Sequence, residues 1–582
     1  MKKNKFILAM IAMLFIVSFI IVLYLIYGHK IILTMYLGKS FGILNDFLVK
    51  EAHPLQYYFD RIDGIVFGIF YYVLLLFLSL SLYIAIPGKI FNKIYDFLLR
   101  IDHFFLKNKR ICLSLFFVIS ILVLIIFSLV VLQDFPNSAD EYACLFQAKY
   151  LASGKLWVHP HQLHKFFQFN HIYSNHGKLF SLFYPGWPLI LSIGVFLRCP
   201  GLVNPLISSL SLIIIFLIGR KLSVKFLAVI PIFILSLTPF FLITSSSYFS
   251  HPTCMLFLLL SVYFLLIAAS KESKIFSFFA SFCLGWAFIT RPYTVFLFIL
   301  VFIIYLFSKH GRIYLKLLFP HFIIGFSIFA IIFLLYNYLF TNNPFRSNEL
   351  FFSNYYFFGK GYTLGMASRD FILQLVDYSF WTSPYFSLIY VYYFFGVLIR
   401  KRDMSLWLFA APLIFLAIGH IFLGQSGGNR YGPRFYYEAT PFMIIFIVSC
   451  IFNVKSYLKK TSLEKYMFFL LICSLFFNVP LICYNAIREH KAIIERQDVF
   501  KLVKKENIHN SIIFLKTGTG TIRRMSRGDL VRNSPDFSDD VLYALDLGKE
   551  NIELINFYPK KNYYIYTYNN ILNHEKLEKI KK

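Results

Sequence analysis

Residues 111–132 read ICLSLFFVISILVLIIFSLVVL and contain no charged side chain. At 1.5 Å per residue, an apolar helix of this length crosses the roughly 30 Å hydrocarbon core of a bilayer. Immediately beyond it, residues 137–159 read NSADEYACLFQAKYLASGKLWVH and place Asp140 and Glu141 side by side. The sequence therefore predicts an acidic pair at a membrane surface, just past the end of a span.

The composition extends this prediction to the whole chain. Of its 582 residues, 58% are hydrophobic and 20% aromatic, whereas only 15% are charged. A soluble domain cannot bury that much apolar surface, so we expect a polytopic, all-α membrane protein. The net charge of +28 lies mainly in short loops between spans, which favours an orientation signal over nucleic-acid binding.

Hydropathy predicts about 13 transmembrane helices. The first follows MKKNK and is too long for the apolar part of a signal peptide, so we interpret it as a retained span. The predicted spans are 6–27, 64–87, 111–132, 202–219, 225–243, 252–269, 275–290, 293–307, 317–339, 384–399, 405–423, 435–452 and 465–485.

The loops predict the orientation of the chain. With a cytoplasmic N-terminus, every predicted inner loop is basic, for example at Arg400, Lys401 and Arg402. Three longer regions then face outward, namely 133–201, 340–383 and 486–582.

We predict three parts: an N-terminal transmembrane pair (1–110), a transmembrane core (111–485) and an outer tail (486–582). The tail combines strand-like runs at 511–515 and 562–568 with a helical stretch near 493–506, which indicates a small α/β domain. Three further segments are given roles. We expect 185–197 to lie at the interface or re-enter from outside, 359–365 to act as a lid, and 516–532 to form a solvated or head-group-facing basic patch.

Ionisable side chains are scarce near the centres of the spans, which counts against an ion-coupled transporter. Instead, charged residues from distant parts of the chain lie at the predicted outer surface. These are Asp140, Glu141, Lys178, Arg291, Arg430, Arg434 and Glu438. Their convergence is the main functional signal.

The acidic pair has a structural and a chemical interpretation. Ser138 and Glu141 have the spacing of a capping box, which explains Glu141 without any catalysis. An acid in the first helical turn also suits the helix dipole, yet Asp140 beside cations is a plausible base for an acceptor hydroxyl or amine.

The arginines also have two interpretations each. Arg291 either interacts with lipid head groups or binds substrate. Arg434 follows a glycine-rich approach and Pro433, an arrangement that suits a phosphate, although Glu438 at four residues' distance is an alternative partner.

His159, His161 and His164 form a weaker metal candidate, since solvent-facing interfacial histidines are commoner. The eight cysteines form no CxxC pair and indicate neither zinc nor a disulfide framework, leaving a Cys144–Cys199 pairing open.

The motifs DEYACLFQAKYLASGKLW (140–157) and GKLFSLFYPGWPLIL (177–191) resemble the first outer loop of GT-C glycosyltransferases. The likeness is to the protein-mannosyltransferase and lipid A aminoarabinose-transferase superfamily. NRYGPRFYYEATPF (429–442) is similar to a late motif of bacterial members, and the resemblance extends over about 111–560. Here the acidic motif follows the third predicted span rather than the first, and YPGWP lacks the adjacent proline pair of many relatives.

This resemblance implies a membrane glycosyltransferase that moves a sugar, with inversion, from a polyprenyl-phosphate donor to a glycan, glycolipid or protein acceptor. It implies an active site on the outer face of a bacterial-type inner membrane, no nucleic-acid partner, and no obligatory metal, although some members of the class use a divalent ion. Asp140 would be the base, with Glu141 beside it. From charge and topology, rather than from the resemblance, we expect the donor phosphate to contact Lys178, Arg291, Arg430 and Arg434, with other substrate contacts from Tyr142, Tyr184, Trp187 and Glu438. A flippase for lipid-linked saccharides and a non-enzymatic scaffold are the alternatives.

Overall fold

The computed structural model describes residues 76–222, 228–306, 318–348, 364–399, 406–421, 431–452, 461–516, 530–569 and 574–580. The predicted span 6–27 and the first half of 64–87 lie outside these residues. Within them, helices predominate. They are α1 (Leu76–Ala85), α2 (Gly88–Lys107), α3 (Lys109–Ile126), α4 (Ala139–Ala152), α5 (Gly186–Phe196), α6 (Val203–Leu222), α7 (Ile230–Ser236), α8 (Pro239–Ser245), α9 (His251–Lys271), α10 (Lys274–Phe288), α11 (Pro292–Leu306), α12 (Phe319–Thr341), α13 (Leu364–Thr382), α14 (Pro384–Ile399), α15 (Trp407–Ile421), α16 (Thr440–Phe452), α17 (Ser462–Lys505) and α18 (Asn551–Phe557).

Six helical segments in the described residues are long and apolar enough to cross a membrane. They are Lys109–Val131, Pro200–Leu222, His251–Lys271, Phe319–Thr341, Arg434–Phe452 and Ser462–Lys505. Several shorter apolar helices pack among them in one large buried core. The predicted helical, polytopic membrane fold is confirmed.

The predicted spans from residue 111 onward coincide with helices, with one exception. The span predicted over 225–243 is wrong as a single helix, because α7 ends at Ser236 and α8 begins at Pro239. Proline lacks an N–H and disfavours helical backbone at the preceding residue. Thr238 starts the second helix instead, since its hydroxyl accepts a hydrogen bond from the Phe241 N–H at 3.2 Å.

Two segments predicted as loops contain helices. The basic inner loop after the second predicted span forms α2, which buries Phe91, Tyr95 and Phe105 against the core. The outer region 340–383 contains α13. Both misses have one cause: an amphipathic helix in a loop lacks the uniform apolar run that identifies a span.

The piece 185–197 forms α5, whose 11 residues are too few to cross the bilayer. Its start docks on the tight turn between α10 and α11, where the Gly186 N–H donates to the Ile289 carbonyl at 3.0 Å. A side chain at Gly186 would meet Thr290 Oγ1 at 2.3 Å, so this close approach requires glycine. The contact attaches the first outer loop to the end of the α10–α11 hairpin.

The longest helix, α17, unites two predicted elements. The span predicted over 465–485 and the tail helix predicted near 493–506 are one helix of 44 residues. A capping box formed by Thr461 and Glu464 starts it. At 1.5 Å per residue it extends about 66 Å, enough to cross the membrane and continue into the tail domain.

The tail folds as the predicted small α/β domain. Its sheet has the order β4-β3-β5-β6, and its strands are β3 (Ser511–Leu515), β4 (Val541–Leu545), β5 (Asn562–Asn569) and β6 (His574–Lys579). Strand β3 pairs in parallel with β4 and β5, whereas β6 is antiparallel to β5. A separate hairpin of β1 (Ile172–Asn175) and β2 (Lys178–Ser181) lies in the first outer loop.

The tail domain packs on the first outer loop. A buried cluster joins aromatic residues of 142–169 to the sheet and to the end of α17. The Tyr142 hydroxyl donates to the Asn533 carbonyl at 2.6 Å, and Lys165 Nζ lies 2.7 Å from carboxylate oxygens of both Glu550 and Glu553. This interface fixes the start of α4, which carries the acidic pair.

Candidate active site

Helix α4 begins with the predicted capping box. The Ser138 N–H donates to Glu141 Oε2 at 2.9 Å, and the Glu141 N–H donates to Ser138 Oγ at 3.2 Å. The second carboxylate oxygen of Glu141 accepts from the Tyr248 N–H at 3.0 Å, and the side chain is fully buried. Glu141 is therefore held as a cap and by the Tyr248 main chain, and its share in catalysis stays a prediction.

Asp140, one residue earlier, points to a different environment. Arg434 Nη2 donates to its Oδ2, although the two residues are 294 positions apart. On the other side, His171 Nε2 lies 3.1 Å from Asp140 Oδ1. The side chains of Asp140, Arg434 and His171 are 22%, 12% and 33% exposed, so this group borders the surface.

These partners determine the protonation of Asp140. Burial alone would raise the pKa of this carboxyl, but the Arg434 guanidinium and the His171 ring outweigh it. Arg291 contributes in the same direction. The pKa of Asp140 is held well below its usual range, so the residue is ionised at neutral pH.

The backbone before Arg434 aims this side chain. Tyr431 and Gly432 both have left-handed backbone, with φ of 54° and 76°. A side chain at Gly432 would meet the Trp381 ring at 2.4 Å, so the turn needs glycine for both conformation and space. A short 3₁₀ helix, Arg434–Ala439, follows, and the Arg434 guanidinium lies 4.4 Å above the Phe249 ring. This cation–π contact helps to hold the charge in place.

A second carboxylate, Glu438, lies in the 3₁₀ helix Arg434–Ala439 and is more deeply buried than Asp140. Glu438 Oε1 is 3.0 Å from His251 Nδ1 and 3.0 Å from Arg291 Nε. Glu438 and His251 are fully buried, whereas the Arg291 side chain is 19% exposed. Glu438 pairs with Arg291 across the bundle, which corrects the alternative in which it pairs with Arg434.

Phe435 connects the two charged groups. Its ring centroid lies 5.5 Å from the Arg291 guanidinium carbon and 5.7 Å from that of Arg434. Arg291 and Arg434 therefore both lie against the Phe435 ring, at the same end of the helix bundle as Asp140. Paired guanidinium groups in a partly desolvated place suit a phosphate, which accepts bidentate hydrogen bonds from arginine.

Other predicted site residues lie elsewhere. Lys178 Nζ donates to the Leu339 carbonyl at 2.9 Å and sits 4.9 Å from the Trp157 ring centroid, at the turn of the β1–β2 hairpin. The structure gives it a role in attaching this hairpin to the end of α12. Arg430, and most of the predicted lid 359–365, lie outside the described residues.

The three predicted aromatic contacts are buried. Tyr142 binds the tail domain, Tyr184 stacks on Phe333 with ring centroids 5.0 Å apart, and Trp187 Nε1 donates to the Tyr248 carbonyl at 2.9 Å. These side chains pack inside loop 133–201, and the substrate contacts predicted for them stay predictions.

Of the three HPHQLH histidines, His159 is exposed and His161 packs against neighbouring side chains. His161 Nε2 is hydrogen-bonded to the Tyr558 hydroxyl at 2.9 Å, within a cluster of aromatic rings. Among the described residues, no group of three or more His, Cys, Asp or Glu side chains is arranged to hold a metal ion. Whether the reaction needs a metal stays a prediction. Cys144 and Cys199 are free thiols.

Of the basic residues described in 516–532, Lys516 is exposed as predicted, whereas Arg532 is not part of a solvated patch. Arg532 lies 4.3 Å from the Phe135 ring centroid and 5.1 Å from that of Tyr142, inside the domain interface. Residues 517–529 lie outside the described ranges.

His171, His251 and Phe435 were missed by sequence reasoning. His251 was identifiable in principle, because it is a histidine at the first position of an apolar span on the predicted outer face. His171 and Phe435 carried no such signal, since neither residue type is unusual in an outer loop.

The fold and these charges define an integral membrane protein with a cationic site at one end of its helix bundle. Residues 198–336 match the family model described as dolichyl-phosphate-mannose-protein mannosyltransferase. This segment contains neither 140–191 nor 429–442 in which the motifs lie, so it confirms the resemblance to that superfamily independently of them. A second model, described as a domain of unknown function (DUF7846), matches residues 513–581.

Solved structures with some similarity include ArnT from Cupriavidus metallidurans, crystallised with undecaprenyl phosphate. It has 10% identity and a TM-score of 0.48, covering 78% of this chain and 92% of that one. Another is the Archaeoglobus fulgidus oligosaccharyltransferase AglB in complex with an inhibitory peptide and a dolichol-phosphate. It has 12% identity and a TM-score of 0.40, covering 66% and 56% of the two chains. Among curated proteins, none matches this chain.

Proposed function

We propose that this protein transfers a sugar from a polyprenyl-phosphate donor to an acceptor of the cell envelope, with Asp140 as the base. The observation that carries the proposal is the Asp140–Arg434 contact, which joins a carboxylate and a cation from distant segments at a partly exposed end of the bundle. The mannosyltransferase family match over 198–336 supports the same class of reaction.

In this proposal, Arg434 and Arg291 bind the donor phosphate. A polyprenyl chain stays in the bilayer, so its phosphate must be bound where helices end. Arg434 and Arg291 supply guanidinium groups around Phe435 at such a place. As the sugar departs, negative charge grows on the phosphate, and fixed cations stabilise that charge in the transition state.

Asp140 accounts for the acceptor proton. The acceptor oxygen attacks the anomeric carbon opposite the phosphate, which inverts the configuration. Its O–H proton passes to the Asp140 carboxylate, and the electron pair of the breaking sugar–phosphate bond leaves with the phosphate. Phosphate binding to Arg434 competes with Asp140 for the same guanidinium, so the donor itself increases the proton affinity of the base.

The most direct test compares envelope glycans and glycolipids, by mass spectrometry, between cells that express this chain and cells that lack it. We expect a sugar substituent to disappear with the protein and to return with the wild-type gene but not with Asp140→Asn. Unchanged glycans would overturn the proposal. Full function of the Asp140→Asn protein would favour a scaffold.

The outer location of the site is part of the proposal and has its own test. A cysteine introduced at His176, an exposed residue of the β1–β2 turn, should react with a membrane-impermeant thiol reagent in intact cells. The parent protein labelled in parallel gives the background from its eight native cysteines. Labelling only after membrane disruption would place this loop in the cytoplasm and contradict the orientation.

A further inference from the structure

The Glu438–His251 pair is an enclosed charged unit in the described part of the bundle. Both side chains have no exposed surface, and a single carboxylate oxygen, Oε1, lies 3.0 Å from His251 Nδ1 and 3.0 Å from Arg291 Nε, the second contact being an ion pair. Opposite an ionised Glu438, Nδ1 is the ring nitrogen that carries the proton. These residues come from the start of α9, the α10–α11 turn and the 3₁₀ helix before α16.

Complete burial excludes direct contact between this pair and a substrate. Placing a carboxylate there is costly unless partners compensate for the lost hydration. Within the described residues, Oε2 of Glu438, Nε2 of His251 and Nε of Arg291 are enclosed without a hydrogen-bond partner, so the 3.0 Å contacts at Oε1 are what compensates the buried carboxylate. The Glu438–His251 pair reaches the surface only through Arg291, whose side chain is 19% exposed.

Arg291 is held in position by contacts with Glu438, Ser250 and Phe435. Its Nε faces Glu438, its Nη1 lies 3.3 Å from Ser250 Oγ, and its guanidinium carbon is 5.5 Å from the Phe435 ring centroid. The ion pair at Nε and the hydrogen bond from Nη1 to Ser250 Oγ fix the group, and the 19% of the side chain that stays exposed is its outer edge. Arginine otherwise loses much rotamer freedom on binding a ligand, and a fixed guanidinium has already lost it.

We propose that Glu438 and His251 are positioning residues that fix Arg291 so that its outer edge receives the donor phosphate. This inference rests on the proposed function, because it takes a polyprenyl phosphate as the ligand. His251 acts through Glu438, and Glu438 through Arg291, so neither residue touches the substrate.

The chemistry of the histidine suggests a sharp test. Asparagine places its side-chain N–H₂ where histidine has Nδ1, so His251→Asn keeps the hydrogen bond to Glu438 in a smaller side chain. His251→Leu has similar volume but no donor. Full-length protein purified in detergent is titrated with undecaprenyl phosphate, and Kd and Tm are measured for each variant.

We expect His251→Leu to weaken undecaprenyl phosphate binding by about tenfold, the lower end of what supporting partners contribute to charged sites elsewhere. His251→Asn should restore Kd to within about threefold of wild type even if its Tm is lower, since the donor is retained. Arg291→Gln should weaken binding at least as much as His251→Leu.

His490→Leu is the matched control. His490 Nδ1 is 3.0 Å from the Val131 carbonyl, so the control removes a hydrogen bond of the same atom and length at another site. It should lower Tm without changing Kd. If His490→Leu and His251→Leu change Kd equally at equal Tm, the effect is general destabilisation and the inference fails.

Two further outcomes are decisive. If wild type binds undecaprenyl phosphate and Arg291→Gln weakens it while His251→Leu does not, the positioning role is overturned and the proposed function stands. If wild type does not bind undecaprenyl phosphate, the donor class is wrong, and the positioning role falls with it.

Discussion

Two carboxylates in this protein have the same kinds of partner and opposite surroundings. Asp140 contacts Arg434 and His171, and Glu438 contacts Arg291 and His251. Asp140 lies at the border of the surface, where an acceptor can reach it. Glu438 is completely enclosed.

In our proposal, exposure rather than partner type separates the reacting carboxylate, Asp140, from the supporting one, Glu438. An ionised group at the surface exchanges protons with a ligand, whereas an enclosed one can only hold its neighbours. The two arginines differ in the same way. Arg434 contacts Asp140, the proposed base, whereas Arg291 contacts the enclosed Glu438.

The largest expected effect tests this division directly. Asp140→Asn should lower sugar transfer on the order of a thousandfold, within the range that general bases contribute, because the amide cannot accept the acceptor proton. Donor binding should change little. Transfer of radiolabelled sugar in membranes measures the first, and undecaprenyl phosphate titration the second. If Glu438→Gln loses as much sugar transfer as Asp140→Asn while its Kd stays at the wild-type value, Glu438 acts in the transfer step itself. The distinction between a reacting and a supporting carboxylate would then be wrong.

Stability should rank the carboxylates in the opposite order. Glu438→Ala leaves His251 and Arg291 without their common acceptor and should reduce the free energy of unfolding by about 3 kcal/mol, as for other buried pairs broken on one side. Asp140→Ala should cost less, because water reaches its partners. Thermal unfolding in detergent gives the ranking, and a larger loss for Asp140→Ala would show that exposure does not separate the two sites.

Removal of Arg434 should affect binding more than folding. Arg434→Gln should weaken undecaprenyl phosphate binding by about 10- to 100-fold, which corresponds to the loss of charge-assisted hydrogen bonds. Arg346→Gln, at a position distant in sequence from the proposed site, serves as a charge-matched control and should leave Kd unchanged. Equal Kd values for wild type and Arg434→Gln would remove this arginine from the phosphate site.

The pKa of Asp140 predicts a pH dependence. Its folded-state pKa is below the ordinary value, so the ionised side chain adds stability that is fully present above about pH 4 and is lost as the pH falls through the folded-state pKa. The Tm difference between wild type and Asp140→Asn should therefore be constant from about pH 8 to pH 5 and shrink in stronger acid. A difference that already shrinks between pH 7 and pH 5 would indicate that the Arg434 pair is not formed.

The smallest effect is expected at Lys178. Its ammonium donates to a main-chain carbonyl of α12, so Lys178→Ala should cost about 1 kcal/mol of stability and change donor affinity less than threefold. A tenfold loss of undecaprenyl phosphate affinity would return this lysine to the phosphate site.

Much of the fold follows from local sequence signals. An uninterrupted apolar run such as 111–132 must be helical in lipid, since only a helix satisfies its own backbone hydrogen bonds there. The Ser138–Glu141 capping box and the α/β tail are also local patterns, and both are present. The break at Pro239 was missed because hydropathy averages over a window and does not register one proline.

The site was only partly predictable. The alternation of spans brings Asp140, Arg291 and Arg434 to one face, and that much the sequence could indicate. Which cation meets which carboxylate depends on how helix ends converge, so the four-residue spacing of Arg434 and Glu438 was misleading. The burial of the aromatic residues Tyr142 and Trp187 was not predictable either, because residue type does not reveal on which side of a loop a side chain lies.

Apolar runs and charge placement are enough to indicate that this chain crosses a membrane and has charges at one end of its bundle, because transfer of apolar residues and charges between water and lipid is a property of each segment alone. That Asp140 borders the surface and Glu438 is enclosed is visible only in the folded chain. Burial depends on packing between segments that are far apart in sequence, and it gives the same functional group a different chemistry in each place.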